Sequence, residues 1–147
     1  MEAGDLFRNQ TLLAVAVSWL VAQTLKPILY RLTKRQWDWR WLMSAGGMPS
    51  SHSAAVASLA VAVGLREGLE SSAFAITLVV ASVVMYDAAG VRRAASIQAR
   101  ILNQMLEELF AGHPIAHERL RELLGHTPIE VLVGAGLGVG IGYLIAR

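Results

Sequence analysis

The chain has 147 residues, 54% hydrophobic and only 16% charged, against a typical charged share of about 25%. Its formal net charge is +2 and it contains no cysteine. This composition excludes a disordered chain, a disulfide framework, a thiol nucleophile and a Cys-ligated metal, and 13 basic against 11 acidic residues argue for no nucleic-acid partner.

The length suits one domain over residues 1–147. Apolar residues come in long blocks, with the charges gathered between them. A bilayer core takes ~20 mostly apolar residues in a helix. Leu12–Tyr30 meets this, interrupted only by Ser18, Gln23, Thr24 and Lys26. It lacks the basic leader and small-residue cleavage site of a signal peptide, so it is expected to be retained. Trp37, Trp39 and Trp41 follow it, as an interfacial aromatic belt does. The apolar segment His52–Leu65 is shorter and reaches only ~21 Å as a helix, against a core of ~30 Å. Ser72–Ala89 is apolar apart from Asp87 and small hydroxyls.

Val91–Phe110 reads as an amphipathic helix. Val91, Ala94, Ala95, Leu102, Met105, Leu106 and Leu109 recur at helical spacing, opposite a stripe of Arg92, Ser96, Arg100, Asn103 and Glu107. Ala111-Gly112 ends it, and a short helix over Ile115–Leu124 leads to Gly125. Ile129–Ala146 is the last apolar block and carries Gly134, Gly136, Gly138, Gly140 and Gly142. Small residues four apart let helices approach closely in lipid. The fold class is therefore all-α: an integral membrane helical bundle of about four transmembrane helices plus an amphipathic interfacial helix.

Charge placement orients the bundle. Nine basic residues (Arg31, Lys34, Arg35, Arg40, Arg92, Arg93, Arg100, Arg119 and Arg121) fall on one side, and Arg8, Arg66 and Arg147 on the other. The positive-inside rule puts the nine in the cytoplasm. Polar residues at membrane depth are few, namely Gln23, Lys26, His52, Asp87 and Glu130, and such groups mark function by default. All fall near the cytoplasmic ends of their spans, with His126 beside them.

Three blocks carry the chemistry. In Gly46-Gly47-Met48-Pro49-Ser50-Ser51-His52-Ser53, the serines open an apolar helix whose first N–H groups can bind an anion. The same serines are also ordinary N-caps. In Gly125-His126-Thr127-Pro128-Ile129-Glu130, Thr127 and Glu130 fit a capping box with Pro128 at the first helical position. His126 lies just before that helix, and Glu130 can also fix its tautomer. In Asp87-Ala88-Ala89-Gly90-Val91-Arg92-Arg93, paired arginines suit phosphate oxygens, and Asp87 can pair with one of them. His113 and His117 have the i,i+4 spacing of metal ligands but no further ligand nearby.

These three blocks, at 46–53, 86–93 and 124–131, resemble the divergent branch of the type 2 phosphatidic acid phosphatase family, which is related to acid phosphatases and vanadium-dependent haloperoxidases. The resemblance covers nearly the whole chain from Leu12. It implies hydrolysis of a phosphomonoester or diphosphate without a metal or other cofactor. His126 would be the nucleophile, Glu130 its orienting partner and His52 the acid. Lys26, Ser50, Ser51 and the block of Asp87, Arg92 and Arg93 would bind phosphate. Ser51 stands where the wider superfamily has Gly, and Glu130 where it has Asp. Leu120 takes the place of the family's Arg before the nucleophile, so Arg92 or Arg93 would supply that charge. The superfamily core has six helices, which implies here a trimmed bundle that a homodimer would complete.

The expected partners are thus a lipid phosphate and the bilayer, with the site on the cytoplasmic side of the cell's inner membrane. A rival reading is a non-catalytic lipid-phosphate binder or lipid transporter. A third has Asp87, His126 and Glu130 ligating a divalent cation.

Overall fold

A computed structural model of the protein describes residues 8–44, 46–109 and 126–147, with the backbone alone for residues 91–93 and 96. Among them are five α-helices and no strand: α1 Gln10–Lys34, α2 Ser51–Glu67, α3 Ser72–Ala89, α4 Val91–Leu109 and α5 Pro128–Ala146. A 3-10 turn, Trp39–Met43, lies between α1 and α2. The helix expected over Ile115–Leu124, together with His113 and His117, lies outside the described residues.

Four of the five helix starts have a local cause in a capping side chain. Asn9, Ser50, Ser71 and Thr127 cap α1, α2, α3 and α5, their side chains accepting from first-turn N–H groups. α1 begins two residues before the apolar run and continues four beyond it to Lys34, ending at Arg35 with a left-handed φ of 56°. Pro27 lies inside α1 and removes the N–H that would have bonded the Gln23 carbonyl.

Side-chain size is distributed inside out. Among the described residues the buried hydrophobic side chains are all alanine except Val131, whereas Trp19, Leu20, Ile76, Val79, Val83, Leu132 and Leu144 are exposed. In water that arrangement would forgo most of the hydrophobic stabilisation. In lipid it is the expected one, because tails are as apolar as leucine and helices associate through small residues. α1, α3 and α5 are long and apolar enough to cross a membrane. α2 has 17 residues, a rise of ~25 Å. It is the hub on which α1, α3 and α5 all pack. Its buried face is Ser51, Ser53, Ala54, Ala57, Ser58, Ala60, Ala62 and Gly64. That central position explains its modest apolarity, since α2 meets protein on most sides.

Contacts fix the helix directions. α1 runs antiparallel to α2: Gln10 accepts from Arg66 at one end and Lys26 meets Ser51 at the other. α5 runs parallel to α2, with Gly134, Gly138 and Gly142 facing the backbone of Ser50, Ala54 and Ser58. A Cβ on Gly138 would lie 2.1 Å from the Ala54 carbonyl oxygen, and one on Gly134 2.3 Å from that of Ser50. Only glycine permits this approach. Gly136 and Gly140, on the other side of α5, would meet nothing within 4 Å. The five glycines thus divide into a packing row of three and an outward pair.

α4 packs on α3 alone among the described elements. Its apolar face (Ile97, Ile101, Leu102, Met105 and Leu109) is exposed, as on a helix lying in a bilayer interface. Asn103, read from the sequence as part of the polar stripe, is buried.

Candidate active site

Because α2 and α5 are parallel and in register, both begin at the same end of the bundle. The backbone N–H of Ser50 donates to the Glu130 carbonyl at 3.1 Å, and the N–H of His126 donates to the Ala88 carbonyl at 3.2 Å. Two main-chain bonds therefore tie the starts of α2 and α5 to each other and to the end of α3. His52 lies in the first turn of α2, and His126 lies just before the cap of α5. Their rings lie 6.4 Å apart between centroids, with an interplanar angle of 63°.

His126 is buried, 2% exposed. Its Nδ1 lies 3.2 Å from Glu130 Oε2. The same oxygen accepts from the Thr127 N–H at 3.0 Å, while Thr127 Oγ1 accepts from the Glu130 N–H at 3.4 Å. The capping box and the orienting contact coexist on one carboxylate. With Nδ1 held by Glu130, Nε2 is the nitrogen directed away from it. His52 is half-buried and is the more accessible of the two rings.

Ser50 caps α2: its Oγ accepts from the Ser53 N–H at 3.3 Å and from the Ser53 hydroxyl at 2.9 Å. Lys26 is 2% exposed, although it lies within α1. Its Nζ donates to the Ser44 carbonyl at 2.8 Å and to Ser51 Oγ at 3.4 Å. Lys26, Ser50 and Ser51 therefore stand together with the starts of α2 and α5. Asp87 lies on the last turn of α3, one residue before the carbonyl that receives His126. The backbone of Arg92 and Arg93 opens α4, and their side chains lie outside the described part of the structure. Among the described residues no three His, Asp or Glu side chains form a metal-holding group, so Asp87, His126 and Glu130 do not make one.

A strap over residues 36–44 returns from the end of α1 to Gln23 and Lys26. Gln23 anchors it, donating through Nε2 to the Leu42 carbonyl at 2.7 Å and the Ser44 carbonyl at 3.2 Å. The Trp41 ring stacks on Tyr30 at 5.2 Å and lies against Gly47. Gly47 has φ +87°, and a Cβ there would lie 2.6 Å from the indole. Glycine is needed for both the backbone angle and the space. Beyond it, the Met48–Pro49 peptide is cis.

Sequence reasoning noticed Gln23 as a polar residue at membrane depth but gave it no role. Its signal is the i,i+3 spacing from Lys26 in an otherwise apolar helix, which puts both side chains on one face. The Ala88 carbonyl and the Trp41–Gly47 contact leave no mark in residue type beyond the glycine itself.

The fold is thus a helical membrane bundle with a histidine pair, a buried lysine and a serine-capped helix start at one end. The chain belongs to the Divergent PAP2 family, whose model matches residues 7–141. It is 37% identical to the "Uncharacterized membrane protein YuiD" of Bacillus subtilis, over 97% of each chain. No solved structure matches it.

Proposed function

We propose that the chain is a lipid phosphatase, hydrolysing the phosphomonoester or diphosphate of a lipid through a phosphohistidine at the cytoplasmic face of the cell's inner membrane. The observation that carries this reading is His126, held through Nδ1 by Glu130 and facing His52 across 6.4 Å. Membership of a phosphatase-related family and the inside-out burial of a membrane bundle support it.

The phosphate binds at the start of α2 with Ser50, Ser51 and Lys26, joined by Arg92 and Arg93 from the opening turn of α4. Fixed positive charge there stabilises the oxygens of the transferring phosphoryl group. His126 Nε2 attacks phosphorus, an N–P bond forms and the P–O bond to the lipid breaks. His52 gives its proton to the departing oxygen. Water then attacks the phosphohistidine and returns a proton to His52, the N–P bond breaks, and phosphate leaves.

The test is phosphate release by detergent-purified protein over phosphatidate, phosphatidylglycerophosphate and a polyprenyl diphosphate, with EDTA and with vanadate. The expected result is release that resists EDTA, is inhibited by vanadate and falls at least ~10³-fold in His126→Ala. Loss of release with EDTA points to the divalent-cation reading. Bound lipid phosphate with no release from any substrate makes the protein a binder or carrier and overturns the enzyme.

A further inference from the structure

The strap has an outer side that the site does not use. Between Arg31 and Ser44 the chain carries four cations (Arg31, Lys34, Arg35 and Arg40) and one carboxylate, Asp38. Asp38 caps the 3-10 turn through the Arg40 N–H at 3.0 Å, and its Oδ1 lies 3.9 Å from Arg40 Nε. Lys34, Arg35 and Arg40 are exposed. Trp37 and Trp39 are exposed too, although their rings stack on each other at 5.3 Å and 8°. The Arg31 guanidinium lies 5.8 Å over the Trp37 ring, within cation–π range. Leu32 and Met43, at 72% and 91% exposure, extend the apolar part.

The position of this patch identifies its partner. α1 is one of the membrane-length helices, and the patch begins on its last turn. The end of α1 lies eight residues past Lys26, or ~12 Å along the axis. The α1 end of the patch therefore stands outward of the site, where headgroups lie, while Leu42 and Ser44 return to the level of Gln23 and Lys26. Stacked tryptophans suit that layer, and a cluster of basic residues just outside a span attracts anionic lipid. We propose that the strap and the end of α1 form a docking surface for anionic lipid headgroups, separate from the phosphate site. The tryptophans seat in the interface and the four cations hold the headgroup charge.

The test uses tryptophan quenching by brominated lipid. The full chain in a Trp19→Phe background, which removes the mid-span tryptophan, is reconstituted in phosphatidylcholine vesicles. Brominated phosphatidylglycerol or brominated phosphatidylcholine is added at matched fractions. The expected result is half-maximal quenching at a roughly threefold or greater lower fraction of the anionic lipid. This difference should vanish in Arg31→Gln/Lys34→Gln/Arg35→Gln/Arg40→Gln. If that variant does not fold, Lys34→Gln/Arg40→Gln, at two exposed positions, should roughly halve the preference in logarithmic terms. Equal quenching by the two lipids, or a preference that survives loss of the cations, overturns the proposal. The readout is lipid contact rather than turnover, so its outcome is independent of the phosphatase reading.

Discussion

Glu130 Oε2 has two occupations, one in folding and one in chemistry. It accepts from the Thr127 N–H and meets His126 Nδ1. Glutamine also completes a capping box, so Glu130→Gln keeps the helix start while removing the negative charge beside the imidazole. We expect a thermal midpoint within a few degrees of the parent and turnover lowered by ~10²–10⁴-fold, read by phosphate release beside a melting curve. Equal loss of both would make Glu130 a cap alone. The candidate residues were legible in the sequence because lysine, histidine and glutamate are conspicuous among apolar neighbours. Their arrangement was less so. The reading placed His126 just before the helix with Glu130 in reach, but nothing in residue type marked the main-chain bond to Ala88 or the depth of its burial.

The α2–α5 contact is one of backbone against backbone. Gly138→Ala would drive a methyl against the Ala54 carbonyl, where overpacking costs typically ~1–3 kcal/mol and occasionally more. Gly136→Ala meets nothing and should stay within about 0.5 kcal/mol of the parent. A pair of melting curves in the same detergent checks the contrast, and equal effects would rule out the packing row. The sequence displayed five glycines at alternate positions and the reason for close packing, but not which ones face α2. That depends on the rotation of α5, set by partners far along the chain. The boundaries of α3 were legible, since Ser72–Ala89 is apolar nearly throughout and capped at both ends. α1 ran further than its apolar run because polar residues continue the helix past hydrocarbon depth.

Across the whole molecule, the all-helical class and the membrane setting followed from block patterning, which reports the solvent the chain expects. The strap was not legible, because its hydrogen bonds come from Gln23 and Lys26, some twenty residues earlier. Orientation is open to a direct check because the chain has no cysteine. Gln36 lies just past α1, at the candidate site's end of the bundle, and Leu69 at the other end, both exposed, so each is a position for a single cysteine. An impermeant maleimide applied to intact spheroplasts should label the second and reach the first only after lysis. The reverse pattern would turn the site outward. The parallel course of α2 and α5 has an electrostatic consequence. Each peptide dipole adds along its helix axis, leaving roughly half a positive charge at every N-terminus. Two such ends meet where the histidines stand. The bundle therefore carries a standing attraction for anions that belongs to the backbone, and Lys26→Met would weaken it without abolishing it.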